Sequence, residues 1–349
     1  MKSSKTAIFR ETGKAFSFEQ VPVPGLKTGE ILVRIEYTTL CRSDLNTYSG
    51  KRVEKTPTIL GHEIVGRIEE MDSSAPATDL RGTALRIGDR ITWAIYAADP
   101  ESELAKRGIP QKADDLFKYG HERVEAACHL HGGLSEYCIL RRHTPVVRVG
   151  ESVPVPVAAL INCSAATVAG SLRLAGSLAD RHVLISGTGM LGIFACAMAA
   201  AEGAASVVAT DIDPERLETA QEFGATETVN IGEAITAEAV REQLREKNVP
   251  RIDVVLDYSG VPGTMEQGLG LLSTGGTAVW VGATFPQRDL RINAEKVVRR
   301  IHTIRGLHNY NSVDLTRAVE FVEDNHRRFP FSTLISRTFS LERVNDAFD

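Results

Sequence analysis

Four side chains able to hold a soft divalent metal are spread through the first half of the chain. Cys41 lies in "TTLCRSDLNTYSG", His62 and Glu63 adjoin in "TPTILGHEIVGRIEEM", and Cys163 stands in "AALINCSAATVAG". Two thiolates and an imidazole leave one tetrahedral position open, as a catalytic zinc requires. Spacing alone does not establish this, since a lone Cys or His is more often packed than ligating.

A second constellation is "VLISGTGMLGIFACAMAA", with G-x-G-x-x-G as Gly187, Gly189 and Gly192, and Met190 and Leu191 inside it. An apolar run precedes it, a helical run follows, and the next apolar run, "VVATD", ends in Asp211. A dinucleotide needs this context. Gly187 allows the tight turn, Gly189 admits the pyrophosphate, Gly192 lets the helix pack on the strand, and the helix N-terminus faces the phosphates. Asp211 would bond both ribose hydroxyls of NAD and repel the extra phosphate of NADP, with Arg216 closing over the adenosine ribose. The competing role for Asp211 is to cap the turn "DIDP".

These groups need a scaffold. A chain of 349 residues that is 43% hydrophobic can bury a large core, best divided between two domains. The first 150 residues hold short β-like runs, "KTAIFR", "GEILVRIEY", "EIVGRIEEM", "DRITWAIY" and "SEYCIL", separated by turn residues, which predicts a β-rich barrel or sandwich. From about residue 181 strands alternate with helices, "RHVLISG", "GMLGIFACAMAAAEG", "ASVVATD", "PERLETAQEFG", "IDVVLDYSG" and "GGTAVWVGA", which predicts a parallel sheet covered on both faces. After about 308 the pattern predicts mixed helix and strand. A net charge of −5 without a basic block argues against nucleic acid as a partner. No apolar run reaches membrane-span length and the start lacks a signal-peptide core, so no membrane association is expected. Five cysteines in a chain this long read as reduced residues of a cytoplasmic protein.

"CRSD", "GHEIVG", "GDRI", "ALINCSAAT", "SGTGMLG" and "VVATDID" follow one another as in zinc-dependent medium-chain alcohol dehydrogenases, and the chain resembles that family over nearly its whole length. The resemblance implies an α/β protein: a GroES-like, β-rich catalytic domain in two segments (1–164 and 309–349) around a doubly wound Rossmann domain (165–308). It implies NAD and one catalytic Zn2+ on Cys41, His62 and Cys163. Glu63 would be the adjacent acid able to approach the metal, and Asp44 the carboxylate that orients His62. Ser43 would take the alcohol proton, Arg42 meet the pyrophosphate, and Thr167 lie near the nicotinamide. The stretch "GIPQKADDLFKYGHE" further resembles dehydrogenases associated with phosphonate catabolism. The family also implies a homodimer or homotetramer.

Three departures from the family stand out. Asn46 replaces a histidine that often completes the proton relay, so the relay must run through water or another group. "FSLERVNDAFD" stops where relatives continue into a strand with a basic cofactor contact; either the chain is trimmed or that contact is missing. The four cysteines of the structural-zinc lobe are replaced by Asp99, Ser102, Ala105 and Ala113, which predicts no structural zinc; the rival is a relocated site on His121, Cys128, His129 and His131. Aligned to the family, Ser43, Arg52, Ile95, Lys118, Leu134 and Ala283 fall at the cleft above the zinc. A cation there should meet an internal carboxylate or an anionic substrate.

The expected reaction is hydride transfer between NAD and a small alcohol or carbonyl, with a hydroxyalkyl phosphonate as the specific candidate, anchored by Lys118. A general secondary-alcohol or polyol dehydrogenase is the alternative. A zinc-free quinone or enoyl reductase and a non-catalytic nucleotide-binding relative are the rivals, and the intact ligand set and glycine loop oppose both.

Overall fold

A computed structural model describes residues 2–125, 129–232 and 236–348. The chain forms two compact units: residues 1–166, 311–326 and 331–349 make the first, and residues 167–310 and 327–330 the second.

The first unit is built on antiparallel strands. A hairpin pairs β1 (Ser3–Ile8) with β2 (Ser17–Pro22). The main sheet has five strands in the order β8-β3-β4-β5-β9: β3 is Ile31–Thr39, β4 Glu63–Met71, β5 Arg90–Trp93, β8 Tyr137–Leu140 and β9 Val146–Arg148. A short ribbon pairs β6 (Tyr96–Ala97) with β7 (Phe117–Lys118). Apolar residues Val33, Ile64, Ile68, Ile91 and Trp93 face inward from the main sheet onto Phe117 and Tyr119. Burial of that layer, at roughly 25 cal/mol per Å² of apolar surface, is the main force holding the strands that present the metal-binding residues.

The second unit carries six parallel strands in the order β12-β11-β10-β13-β14-β15. They are β10 His182–Ser186, β11 Ser206–Asp211, β12 Glu227–Asn230, β13 Ile252–Asp257, β14 Leu272–Trp280 and β15 Thr303–Gly306. The central strands β11 and β13 are buried along their whole length, as expected where helices cover both faces. This is the doubly wound arrangement, and its order reverses at β10, the place where sheets of this kind bind ligands at their strand C-termini.

Two expectations are corrected. The segment after residue 308 folds into the helix Ser312–Asn325, 3-10 turns and the short helix Val344–Phe348, with no strand among the described residues. Its apolar positions Leu315, Ala318, Val319 and Val322 recur at helical spacing, which overrides the mixed reading. The helical run Val155–Ala175 is also long and apolar enough to cross a membrane by length and composition. However, 83% of its most apolar window is buried inside the protein, so its apolar character serves the core.

Candidate metal and nucleotide sites

Cys41 caps the N-terminus of the helix Arg42–Tyr48. Three residues on, Asp44 folds back, and its Oδ2 accepts the Cys41 N–H at 3.0 Å. Its other oxygen accepts the Gly61 N–H at 3.2 Å and lies 3.5 Å from His62 Nδ1. One fully buried carboxylate therefore holds both the loop that presents Cys41 and the turn that presents His62. The 3.5 Å contact is at the limit of a hydrogen bond, but it faces the imidazole so that Nε2 is turned toward the thiols, 3.6 Å from Cys163 Sγ.

Cys163 reaches the same point from a π-turn, in which the Ala165 N–H donates to the Leu160 carbonyl at 3.2 Å. Beside it, the Asn162 side chain donates to the carbonyls of His62 and Trp93, both at 2.9 Å, and accepts the Ile64 N–H at 3.1 Å. Glu63 is buried, and its Oε2 accepts the Thr39 hydroxyl at 2.5 Å. One ligand atom from each of Cys41, His62, Glu63 and Cys163 lies within 4.8 Å of all the others. Two thiolates, an imidazole and a carboxylate suit zinc in both softness and number.

The hydrogen bond from Cys163 holds the Cys41 thiol well below its ordinary value, with His62 adding to it against burial. The same contact, then burial, pushes Cys163 well above its ordinary value. Cys41 is thus the more readily ionised of the two thiols, and a divalent cation held by both would displace the protons they carry. Burial works against a charge on His62, but Asp44 and Cys41 outweigh it and raise the ring well above its usual range. Burial and the neighbouring Cys41 thiolate push Glu63 up to about 8. Burial would also raise Asp44, but the His62 and His121 rings and the Gly61 N–H bring it below its ordinary value.

The other positions expected around the metal divide into two groups. Ser43 and Asn46 are half-buried on the helix that Cys41 caps, and Arg42 is exposed. Arg52 lies 2.6 Å from Glu54, whose carboxylate is also 3.1 Å from His121 Nδ1. The His121 ring lies 4.9 Å from the His62 ring, centroid to centroid. Half-buried Lys118 acts on Glu54 through its charge. Ile95 and Leu134 are nearly fully buried, and Leu134 packs with Ala7, Ile8, Phe9, Ile59 and Leu60 in the core under the hairpin. Exposed Ala283 belongs to the second unit.

The lobe without cysteines is held by other means. The Asp99 N–H donates to Asp115, Ser102 caps a short helix, and Ala113 is buried. Ala105 lies within the helix Glu103–Lys106 that Ser102 caps. His121 and His131 are buried, and burial pushes His131 down to about 4. His129 is half-buried, and Cys128 lies outside the described residues.

In the second unit, the turn after β10 carries Gly187 at φ +87°, where a Cβ would meet the Ser259 backbone at 2.8 Å. A Cβ on Gly192 would come within 2.0 Å of the Gly187 carbonyl, so only glycine lets the helix Met190–Ala201 approach the strand. A Cβ on Gly189, at the helix N-cap, would meet nothing within 4 Å, which leaves the room a pyrophosphate needs. Met190 and Leu191 are half-buried in the first turn, as is Thr167 at the start of the unit.

Asp211 ends β11 but is buried and already engaged. Its Oδ2 accepts the Thr188 N–H at 2.7 Å and the Thr188 hydroxyl at 3.0 Å; its Oδ1 accepts the Ile212 and Asp213 N–H groups at 2.8 and 3.1 Å. A carboxylate offers about four acceptor positions, and the protein itself fills them. The turn-capping role is thus present in the fold. Arg216 is exposed and lies 3.4 Å from Asp213. Asn162, Glu54 and Thr188 were not expected from the sequence; their partners lie far from them along the chain.

Known proteins agree with this architecture. Residues 27–151 match the alcohol dehydrogenase GroES-like domain, and residues 191–324 match the zinc-binding dehydrogenase family. A probable D-xylulose reductase A of Emericella nidulans is 29% identical over 343 residues, covering 95% of this chain and 89% of the relative. The sorbitol dehydrogenase of Bacillus subtilis is 26% identical over 357 residues, covering 100% and 93%. The crystal structure of an alcohol dehydrogenase from Thermotoga maritima superposes with a TM-score of 0.91 at 27% identity, covering 100% of this chain and 96% of that one. With a GroES-like unit that gathers two cysteines, a histidine and a glutamate, and a parallel-stranded unit that carries the glycine loop, the chain belongs to the zinc-dependent medium-chain alcohol dehydrogenase family and is an oxidoreductase.

Proposed function

We propose that this protein is an NAD-dependent dehydrogenase with one catalytic zinc per chain, acting on a small neutral alcohol or polyol and, in reverse, on the matching carbonyl. The observation that carries the reading is the convergence of Cys41, His62, Glu63 and Cys163, with Asp44 behind the imidazole. A zinc ion there supplies Lewis-acid polarisation of the substrate oxygen, and NAD supplies the hydride acceptor.

The chain's own residues do the rest. Cys41, His62 and Cys163 hold the metal, and Asp44 keeps the imidazole aimed. Glu63, buried beside them, would be the adjacent acid within reach of the metal. Ser43 takes the alcohol proton. Asn46, whose amide does not ionise near neutral pH, leaves that proton to water. Gly187, Gly189 and Gly192 with Met190 and Leu191 seat the pyrophosphate, with Arg42, Thr167 and Arg216 on the rest of the cofactor, while Asp211 holds the glycine loop through Thr188. In this reading the first compact unit is the catalytic domain and the second the nucleotide domain.

The neutral substrate rests on Glu54. At 2.6 Å from Arg52 it supplies an internal counter-charge, so the site does not need an anionic ligand to balance that cation. The relatives named for xylulose and sorbitol favour a polyol. A hydroxyalkyl phosphonate is the second reading. Desolvation and then the charge of Lys118 lower the Lys112 ammonium, so two cations stand in each other's field and an anion would relieve them. The reading also takes the protein as cytoplasmic and as a homodimer or homotetramer. The edge strand β15 and the exposed Val298 and Ile301 in the same unit support self-association.

The test is NAD reduction by the zinc-loaded protein with a polyol, a simple secondary alcohol, and a hydroxyalkyl phosphonate beside its neutral analogue, in wild type and Lys118→Ala. Preference for neutral substrates, unchanged in the variant, supports the first reading. A selective loss of kcat/KM on the phosphonate in Lys118→Ala supports the second. No turnover with any alcohol rejects both.

A further inference from the structure

We infer that Asn162 is a positioning residue for the metal site, joining the backbone at His62, just before β4, to the turn that carries Cys163. The inference rests on the zinc reading above. Every polar atom of this fully buried amide is engaged: Oδ1 accepts the Ile64 N–H at 3.1 Å, and Nδ2 donates to the His62 and Trp93 carbonyls, both at 2.9 Å. The set fixes the amide's orientation, since a flipped amide would point its N–H groups at an N–H and its oxygen at two carbonyls.

The location gives these bonds their consequence. Strands β4 and β5 pair through Val65–Thr92, Gly66–Ile91 and Arg67–Arg90, and the ladder stops there. Just beyond its end, toward His62, the Asn162 amide stands in for a peptide group, accepting from the Ile64 N–H on β4 and donating to the Trp93 carbonyl on β5. Its remaining N–H holds the carbonyl of His62 itself. The backbone around the ligand histidine and its neighbour Glu63 is thus clamped by the residue that immediately precedes the ligand cysteine.

The π-turn makes this possible. The Ala165 N–H reaches back to Leu160, which inserts an extra residue into the helical repeat and turns neighbouring side chains in different directions. Asn162 enters the strand ends while Cys163 Sγ reaches 3.6 Å from His62 Nε2. The position demands one acceptor and two donors in a short planar group. Aspartate would face two carbonyls with an oxygen, serine offers one donor, and glutamine is a methylene too long.

Groups that orient metal ligands typically change metal affinity by ~10–100-fold when removed. The experiment measures Zn2+ affinity by competition with a chromophoric chelator and the ligand-field and thiolate charge-transfer spectrum of the Co2+-loaded protein. It compares wild type, Asn162→Ser and Asn162→Asp, with Ile68→Val as a control that weakens the core of β4 away from the site. All are measured well below their melting temperatures. We expect both Asn162 variants to lose about ten- to a hundredfold in Zn2+ affinity and to show altered Co2+ bands, while Ile68→Val lowers only the melting temperature. If one Asn162 variant does not fold, the other decides; if neither folds, Asn162 is a folding residue and the inference fails. Wild-type affinity and an unchanged Co2+ spectrum in a folded variant would overturn the inference and leave the zinc reading standing. A wild type that takes up neither metal would overturn both.

Discussion

Replacing Asp211 separates two accounts of its carboxylate. If it served only as a ribose acceptor, Asp211→Ala would weaken NAD, relax discrimination against NADP and leave the fold untouched. In the structure its carboxylate ties the glycine loop to the end of β11 through both Thr188 donors, and holds the Ile212 and Asp213 amides as well. Ile212 is exposed, so water can replace its bond, but Thr188 is buried and its two donors would be left unmade. Each such loss costs about 1–3 kcal/mol, which gives ~2–6 kcal/mol in all. For a unit of this size that lowers the melting temperature by roughly 4–24 °C. The loosened loop should raise KM for NAD and NADP together. Thr188→Val removes only the hydroxyl donor and should cost about 1 kcal/mol. The assay is thermal unfolding of each variant, with kcat/KM for both cofactors. An Asp211→Ala protein that melts with the wild type and gains NADP activity would refute the capping account.

Other expectations concern single residues. Cys163→Ala should abolish turnover and metal uptake while calorimetry still detects NAD binding; full activity would remove the ligand assignment. Glu54→Gln leaves Arg52 without its counter-charge, so kcat/KM for an anionic alcohol relative to its neutral analogue should rise on the order of tenfold, equivalent to about 1.4 kcal/mol; an unchanged ratio would place the pair outside the substrate's field. Burial raises Asp257 to about 6 from an ordinary 3.8. Its contribution to stability is therefore full below about pH 4 and is lost as pH rises through 6, ~3 kcal/mol over that window. Asp257→Asn should match the wild type at pH 4 and exceed it at pH 7 in thermal melts, and parallel profiles would contradict this.

The residues that could be read in sequence are those whose chemistry is local. Gly187, Gly189 and Gly192 announce a turn within a few positions, and the strand–glycine–helix order around them follows from hydrophobic periodicity. His62 and Glu63 stand out because two titratable groups adjoin an apolar run. Asn162 does not, because its partners at 62, 64 and 93 are brought to it by the sheet. Glu54 looks like a surface acid until the chain folds back to set His121 3.1 Å from it. For Asp211 both the ribose role and the turn-capping role were visible, and only the backbone geometry near Thr188 shows how fully the second is realised. Beyond residue 308, the apolar face of Ser312–Asn325 was visible in the sequence, but the short apolar stretches after it lack a period that separates strand from turn.

The central claim is that two cysteines and a histidine from separate parts of the chain hold one zinc. Zinc X-ray absorption spectroscopy on the purified protein tests it most directly, with Cys163→Ser beside the wild type. The account predicts a wild-type first shell of two sulfurs with the remaining ligands nitrogen or oxygen, and one sulfur in the variant, if it retains zinc at all. A wild-type shell of nitrogen and oxygen alone, a shell of four sulfurs, or an unchanged sulfur count in Cys163→Ser would contradict it.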